Sequence, residues 1–485
     1  MVRLRRQEGT VVTSGAECIA LVMAAGKGTR MASDLPKVLH EIAGEPLLGF
    51  VLARLAELGT RGLVDRTFVI TGHGAEQVGE YLGRRWPAAG ILLQEPQLGT
   101  GHAVMQARGA LQGHLGSVLI LNGDVPLLET ETLASMLREH QASGADLTLM
   151  TTEMPDPTGF GRIVRKASGE VARIVEHRDA SAEERDVREV NVGVYLASWP
   201  ALSEALDGLG TANDQGEYYL TDAVAALVSD GSKVSAFRLS DWTQTVGINN
   251  RAELVAAGAL WRQRRAAYWL ERQVTIEDPA TTHLGPEVCL GPDTVIEPFT
   301  QLYGRTSTGR GVRVGSHTRL QDVQLGDGVT VRTSDLADAV IGAGSQVGPY
   351  ARMRDVVRVG EGARIGNFVE LKKVDFGEGA KAAHLSYLGD ATVGAAANIG
   401  CGTVTCNYDG ERKHPTVIGA GAFIGTNNTL VAPLRVGDGA YTAAGSTLTR
   451  DVPEGALALG RAQQVVKEGW VARRHALSRP TTRTP

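Results

Sequence analysis

IGAGSQVGPYARMRDVVRVGEGARIGNFVEL, residues 341–371, places an apolar side chain at every sixth position: Ile341, Val347, Met353, Val359, Ile365 and Leu371. A step of six matches neither the 3.6-residue turn of an α-helix nor the two-residue alternation of a strand. It fits a parallel β-helix, where each short face of a triangular coil spends six residues. The same step joins Leu284, Leu290, Ile296 and Leu302 upstream, and Ile418, Ile424, Leu430 and Val436 downstream. Glycine follows many of them, as in Ile341-Gly342 and Ile424-Gly425, and the chain's 60 glycines concentrate in this half. Tight coil corners there call for φ > 0. Nothing before about residue 275 repeats in this way, so two architectures share the chain.

The earlier part alternates strands and helices. Strands are expected over 18–23, 67–71, 118–121 and 146–152, a helix over 47–58, and a strand pair over 162–165 and 170–175. This is the pattern of a mostly parallel, doubly wound α/β sheet. Ligands of such sheets sit beyond the carboxyl ends of strands, which would let Gly26–Arg30 and Asp124 share one site. The expected domains are a doubly wound unit over 18–250, a linker helix over 251–275, and the coil with a C-terminal tail over 276–485. The coil itself runs to about Asp451, and Trp470 suggests that one stretch of the tail docks. Residues 1–17 read as a disordered extension, lacking the apolar core of a signal peptide.

At 485 residues the chain is too long for one core. With 43% hydrophobic and 21% charged residues it is an ordinary globular composition. A net charge of −5 argues against a general nucleic-acid binder, and no apolar run is long enough to cross a bilayer. Cys18, Cys289, Cys401 and Cys406 form no CxxC pair; free buried thiols in a reducing compartment, the cytoplasm, are the expectation.

Ala24-Ala25-Gly26-Lys27-Gly28-Thr29-Arg30 follows a strand and is expected to open a helix. Small residues let backbone N–H groups approach phosphate oxygens, and Lys27, Arg30 and Lys37 add three cations. The spacing fits neither the Walker loop nor G-x-G-x-x-G. On residues alone it is an anion-binding loop.

The motif Ala-Ala-Gly-x-Gly-Thr-Arg-Met, followed by Lys37, resembles the signature of sugar-1-phosphate nucleotidyltransferases. From about Ile19 to Arg461 the chain resembles the family of bifunctional bacterial N-acetylglucosamine-1-phosphate uridyltransferases/glucosamine-1-phosphate acetyltransferases. Gln94…Gly99-Thr100-Gly101-His102, Asn122-Gly123-Asp124, Pro157–Arg162, Glu176-His177, Asn191 and Gly247–Asn250 follow in the family's order. The resemblance implies that Met23, Ala24, Ala25, Gly26 and Lys37 hold UTP and that Arg30 and Lys37 stabilise the transferring phosphate. It implies that Gln94, Gly99 and Thr100 read uracil, and that Gly161, Glu176 and Asn191 grip the sugar. Asn122 and Gly123 would complete the binding wall, although the family often has an aromatic residue at Asn122. Asp124 and Asn249 would bind Mg²⁺, a cation that takes hard oxygen ligands.

Two segments read as breaks in the six-residue step: Ala380–Asp390 and Cys406–His414. A lone histidine is more often structural than catalytic, but His384-Leu-Ser-Tyr-Leu-Gly-Asp390 and Asn407-Tyr408-Asp409-Gly410 resemble the same family's acetyltransferase motifs. His384 would then be the general base that takes a proton from the sugar amine as it attacks acetyl-CoA. Arg354, Lys372, Tyr387 and Asn398 would bind glucosamine-1-phosphate. Cys401, Asn407, Tyr408, Thr426, Ala444 and Arg461 would line the acetyl-CoA site, with Cys401 and Thr426 replacing the family's usual Ala and Ser. The resemblance also implies that the β-helix is left-handed and the assembly a homotrimer.

Overall fold

Alternate residues of the strand Cys18–Ala24 face opposite cores: Ala20, Val22 and Ala24 pack in one apolar cluster, Ile19 and Leu21 in another. A strand buried on both faces is what a doubly wound sheet requires of its centre. The structure, a computed structural model, describes residues 17–478. Two compact units meet between Arg265 and Ala266, inside the helix Arg251–Leu270. Apart from Glu17, the expected extension lies outside the described residues, as does the end of the basic tail.

The first unit is built on a nine-stranded sheet. Its order is Val234–Leu239, Leu147–Glu153, Glu189–Ser198, Ser117–Asn122, Cys18–Ala24, Arg66–Thr71 and Gly90–Leu93. Neighbours are parallel except Glu189–Ser198, which runs against both of its partners. The hairpin Arg162–Arg165/Val171–Val175 attaches to this strand where Val190 pairs with Arg162. The helix Leu47–Thr60 buries Leu48, Val51, Leu52, Leu55 and Leu58, one stripe at three- and four-residue spacing. Each such leucine contributes about 1.5–3 kcal/mol of burial.

The phosphate loop departs from expectation. Gly28 and Ala32 both have left-handed φ, +58° and +48°, and they confine the segment between them to a single 3₁₀ turn, Thr29–Met31. No α-helix opens there, so an anion would meet loop N–H groups and lysines rather than a helix dipole.

In the second unit, each strand stacks in parallel on the next coil. Val295 lies under Arg313, Arg313 under Thr330, Thr330 under Gln346, and Gln346 under Arg364. One face forms an 11-stranded sheet and the other two share a 13-stranded sheet. Most coil faces bury one apolar side chain, with Thr405 and Thr442 filling the same slot by a buried threonine, and the continuous core runs from Ala266 to Val452.

Ala380–Asp390 is not a break. Leu371, Phe376, Ala382, Leu388 and Val393 are all buried in succession, and Lys381–His384 pairs in register with both neighbouring coils. The step looked interrupted because some faces spend five residues and because alanine fills the slot at 382. Cys406–His414 is a real excursion. Asn398 pairs with Phe423 on the next coil, and the additional residues leave between Val404–Cys406 and Thr416–Ile418. The coil also continues past Asp451 to a last strand, Leu457–Ala458.

Several corners carry left-handed residues that are not glycine, among them Phe299, His317, Tyr350, Phe368 and Leu385. The rings at some of these corners stack from coil to coil: Phe299 on His317 at 5.0 Å and Tyr350 on Phe368 at 5.1 Å.

All four cysteines are free, but only Cys18 is buried; Cys289 is exposed, and Cys401 and Cys406 are partly covered. Burial, with Asp65 beside it, pushes the Cys18 thiol up to about 12, which makes it inert. Trp470 does not dock among the described residues: positions 470–477 are exposed, and Trp470 is 47% accessible.

Candidate active sites

Beyond the carboxyl ends of Cys18–Ala24 and Ser117–Asn122 lies a cleft of about 480 Å³. Met23, Ala24, Ala25, Gly26, Lys37, Gln94, Gly99, Thr100, Asn122 and Asp124 line it, ten of the residues singled out in the sequence. A second recess shares Met23, Thr100, Asn122 and Asp124 with the first and adds Gly161, Glu176, Asn191 and Asn249. The residues expected to hold nucleotide and those expected to hold sugar therefore line two recesses that share a wall. Gly123 sits behind the wall, its N–H donating to the Met23 carbonyl at 2.9 Å. Arg30 stands exposed on the 3₁₀ turn, beyond the lining.

Lys37 lies where the two recesses meet. Its ammonium donates to the Asp124 carboxylate and, at 3.3 Å, to Asn249 Oδ1. Gly28 makes room for it: a Cβ there would come within 2.7 Å of the Lys37 Cβ. Asn249 is fixed from behind, because its N–H donates to Glu253 at 2.7 Å while Asn250 caps the same helix. The Ile248 N–H to Asp124 carbonyl bond, 3.1 Å, ties the two segments together. Two hard oxygens thus converge on one cationic position, a donor set that fits a hard divalent cation with its remaining positions open to phosphate and water.

At the base end, Gln94 is 3% exposed and donates through Nε2 to the Gly99 carbonyl at 2.9 Å. The loop it holds is braced by Gly101 N–H to Tyr218 O at 2.8 Å and by Leu220 N–H to Thr100 Oγ1 at 3.0 Å. At the sugar end, burial raises the Glu176 carboxyl above its usual range, and Asp179 and Asp222 add to this against the bond from Thr221. Asn191 donates to the Tyr195 hydroxyl at 2.6 Å.

The sequence reading missed Gln97 and Glu217 at the base end, and Tyr195, Thr221 and Thr245 at the sugar end. Gln97 lay within reach, three residues after Gln94. Glu217 carried no local signal, because only the contact of its loop with Leu98–Gly101 brings it there.

The second constellation lies on the coil. His384 Nδ1 is 2.7 Å from Asn367 Oδ1, its register partner one coil earlier. An amide oxygen only accepts, so in this contact Nδ1–H is the donor, and Nε2 is left without a partner on Asn367. Across the Leu385 corner, Arg354 pairs in register with Lys372, and Lys372 with Gly389. Arg354 donates to Glu370 at 2.8 and 3.0 Å, and that bond raises its hold on its proton. Gly389 leaves space for the Tyr387 hydroxyl and the Asn407 amide, which a Cβ would approach to 2.4 and 2.8 Å.

Lys413, on the excursion, is a third cation beside Lys372. Contact with the Lys372 ammonium lowers its affinity for its proton, as a neighbouring like charge does. The sequence reading missed it, along with Asn367 and Glu370.

The remaining candidates follow one corner upward. Gly402 N–H donates to Leu385 O, Asn427 N–H to Cys401 O, Gly445 N–H to Thr426 O, and Arg461 Nη1 to Ala444 O, at 2.7–3.0 Å. Cys401, Thr426, Ala444 and Arg461 are therefore successive rungs of one strip, and Asn398 lies three residues before its start. Asn407 differs: it is 7% exposed and its amide nitrogen donates to Asp390 at 2.6 Å. Tyr408 is 60% exposed and donates to Gly410 O. The excursion is self-braced, since Asp409 accepts from the Arg412 and Glu411 N–H groups and pairs with His414, which holds its carboxyl far below the usual range.

Comparison with known proteins covers both halves. Residues 19–270 match the nucleotidyl transferase family, and residues 338–373 match the bacterial transferase hexapeptide (six repeats) family. A bifunctional protein GlmU of Exiguobacterium sibiricum is 47% identical over 451 residues, 93% of this chain and 99% of the relative. Those of Geobacillus thermodenitrificans and of Synechococcus sp. (strain CC9605) are each 46% identical, over 94% and 93% of this chain and 97% and 99% of their own.

Proposed function

The chain belongs to the family of bifunctional GlmU proteins, and from that premise we propose how its residues divide two reactions. It is a glucosamine-1-phosphate acetyltransferase and a UDP-N-acetylglucosamine pyrophosphorylase, with a nucleotidyl transferase domain and a left-handed β-helix of hexapeptide repeats.

In the β-helix, His384 Nε2 takes the proton as the amine of glucosamine-1-phosphate attacks the acetyl-CoA carbonyl; the N–acetyl bond forms and the CoA thiolate leaves. Arg354 and Lys372, joined by Lys413, hold the sugar phosphate, with Tyr387 and Asn398 beside the ring. The strip Cys401–Thr426–Ala444–Arg461, with Asn407 and Tyr408, takes acetyl-CoA.

In the N-terminal unit, a phosphate oxygen of N-acetylglucosamine-1-phosphate attacks the α-phosphorus of UTP and pyrophosphate leaves. The loop Met23–Gly26 and Lys37 bind the phosphates, and Arg30 reaches them from the rim. Gln94, Gly99 and Thr100 hold the uracil, while Asn122, Gly123, Gly161, Glu176 and Asn191 frame the ribose and sugar. Asp124 and Asn249 would hold Mg²⁺, which supplies charge neutralisation to the phosphates. Positioning and charge complementarity then carry the catalysis.

The second site is an open strip on one chain, which suits completion by neighbouring copies in a homotrimer. Free thiols suit the cytoplasm. None of the described helices is long and apolar enough to cross a membrane.

The observation that carries the two-site reading is the pairing of a poised Nε2 base at His384 in one unit with the Lys37–Asp124–Asn249 convergence in the other. Purified protein supplied with glucosamine-1-phosphate, acetyl-CoA, UTP and Mg²⁺ should release CoA and pyrophosphate and form UDP-N-acetylglucosamine. Pyrophosphate release from N-acetylglucosamine-1-phosphate without CoA release from glucosamine-1-phosphate would reduce the β-helix to a scaffold.

A further inference from the structure

Arg162 is 1% exposed, the only arginine among the described residues that is shut away from solvent. Among the described residues its guanidinium has no carboxylate in hydrogen-bond or ion-pair contact; Asp156 acts on it only through its charge at longer range. Nη1 donates to the Phe160 carbonyl, Nη2 lies 3.4 Å from the Arg185 carbonyl and 3.4 Å from His177 Nδ1, and Nε has no acceptor. Burying a cation on neutral acceptors alone is costly. Burial, followed by the charge of Arg185, weakens its hold on its proton. A residue kept at that cost has its value in what it fixes.

The segments it joins are the turn closed by Phe160 N–H to Pro157 O, the turn closed by Asp179 N–H to Glu176 O, and the end of the helix Ala182–Arg185. Two of these carry the sugar end of the cleft, through Phe160 with Gly161 and through Glu176. The third sugar residue is tied in as well, because Asn191 N–H donates to Gly161 O at 2.8 Å and Val190 pairs with Arg162. Arg162 itself does not line the cleft.

We propose that Arg162 is a positioning residue for the sugar phosphate: its buried fork locks the Phe160 turn to the His177 turn and the Arg185 helix end, and so sets the distance between Gly161 and Glu176. A planar fork with several fixed donors can hold three acceptors at once, which a lysine ammonium on a flexible stem does less well. An arginine only donates, so in the contact with His177 the ring Nδ1 is the acceptor.

This rests on the uridylyltransferase reading of the cleft, and the test separates the two. Steady-state uridylyl transfer would be measured for the full-length wild type, Arg162→Met and Arg162→Lys, varying UTP and N-acetylglucosamine-1-phosphate independently, with denaturant unfolding as the check on folding of the first unit and acetyl transfer as the control on the second. A wild type without pyrophosphate release sinks the reading of the cleft. With an active wild type, Arg162→Met should raise the KM for the sugar phosphate about tenfold or more, because small misplacements at a binding wall have large kinetic effects. The KM for UTP and the acetyl transfer rate should stay within about twofold, and Arg162→Lys should recover part of the loss. Equal rises in both KM values, or no rise in the sugar KM, would overturn the proposal. Should Arg162→Met not fold, the same split must appear in Arg162→Lys, and its absence there overturns the proposal equally.

Discussion

His384 and Asn367 lie one coil apart on the same strip, with Nδ1 and Oδ1 2.7 Å apart. The asparagine orients the ring by accepting from Nδ1–H. His384→Ala should reduce acetyl transfer by at least about 100-fold, the scale of a lost general base. Asn367→Ala should cost about tenfold through misorientation alone. Both variants should release pyrophosphate from N-acetylglucosamine-1-phosphate at the wild-type rate; a parallel loss in a folded variant would contradict two separate sites.

Lys37, Asp124 and Asn249 act as one unit. Asp124→Asn should slow uridylyl transfer about 100-fold or more, the scale of removing one charge-stabilising group. A chelator should stop the same reaction and spare acetyl transfer. Chelator-resistant uridylyl transfer would refute the assignment of Asp124 and Asn249 to a metal.

Lys413 stands beside Lys372, and Lys372 beside Arg354, where the proposed reading puts the sugar phosphate. Lys413→Ala should raise the KM for glucosamine-1-phosphate several-fold, the scale of losing one solvent-exposed charge contact. The KM for acetyl-CoA should not move. Equal KM values for wild type and variant in both substrates would remove Lys413 from the site.

Gly99 has φ +107°, and a Cβ there would sit 2.6 Å from the Tyr218 carbonyl. Gly99→Ala should cost about 1–3 kcal/mol of stability in denaturant unfolding of the first unit. It should also weaken UTP binding, since the displaced loop is the one Gln94 holds. Unchanged midpoint and KM would show that the loop relaxes freely.

His140 is buried against Thr148, 2.8 Å from its hydroxyl, and burial lowers its affinity for a proton. The folded state favours the neutral ring. The stability it supports is therefore complete above the unfolded-state value of about 6.5 and is lost as pH falls from there through the lower folded value. Melting temperature should drop across that window in the wild type and less steeply in His140→Gln. Parallel curves would exclude His140 as a source of acid sensitivity.

The six-residue step at Ile341–Leu371 was enough to identify the coil, because each face buries one side chain and the period is local. The phosphate loop and the order of motifs from Gln94 to Asn249 were equally legible. The apparent break at Ala380–Asp390 was misleading because alanine at 382 fills a slot that isoleucine fills at 365, and a face can shorten by one residue without leaving the coil. The 3₁₀ turn after the phosphate loop escaped detection because Ala32, a strong helix former, adopts left-handed φ there.

By itself the sequence determined the two architectures, their order, and most of the side chains that line the candidate clefts, since periodicity and motif spacing are short-range properties. Only the tertiary structure decided which distant groups meet. Lys37 reaches Asp124 and Asn249, 87 and 212 positions away. Lys413 comes beside Lys372 because a loop leaves the coil, and Arg162 finds neutral acceptors on three segments. Those meetings depend on sheet register and on where loops cross, and both are fixed by burial across the whole core rather than by neighbours in the chain.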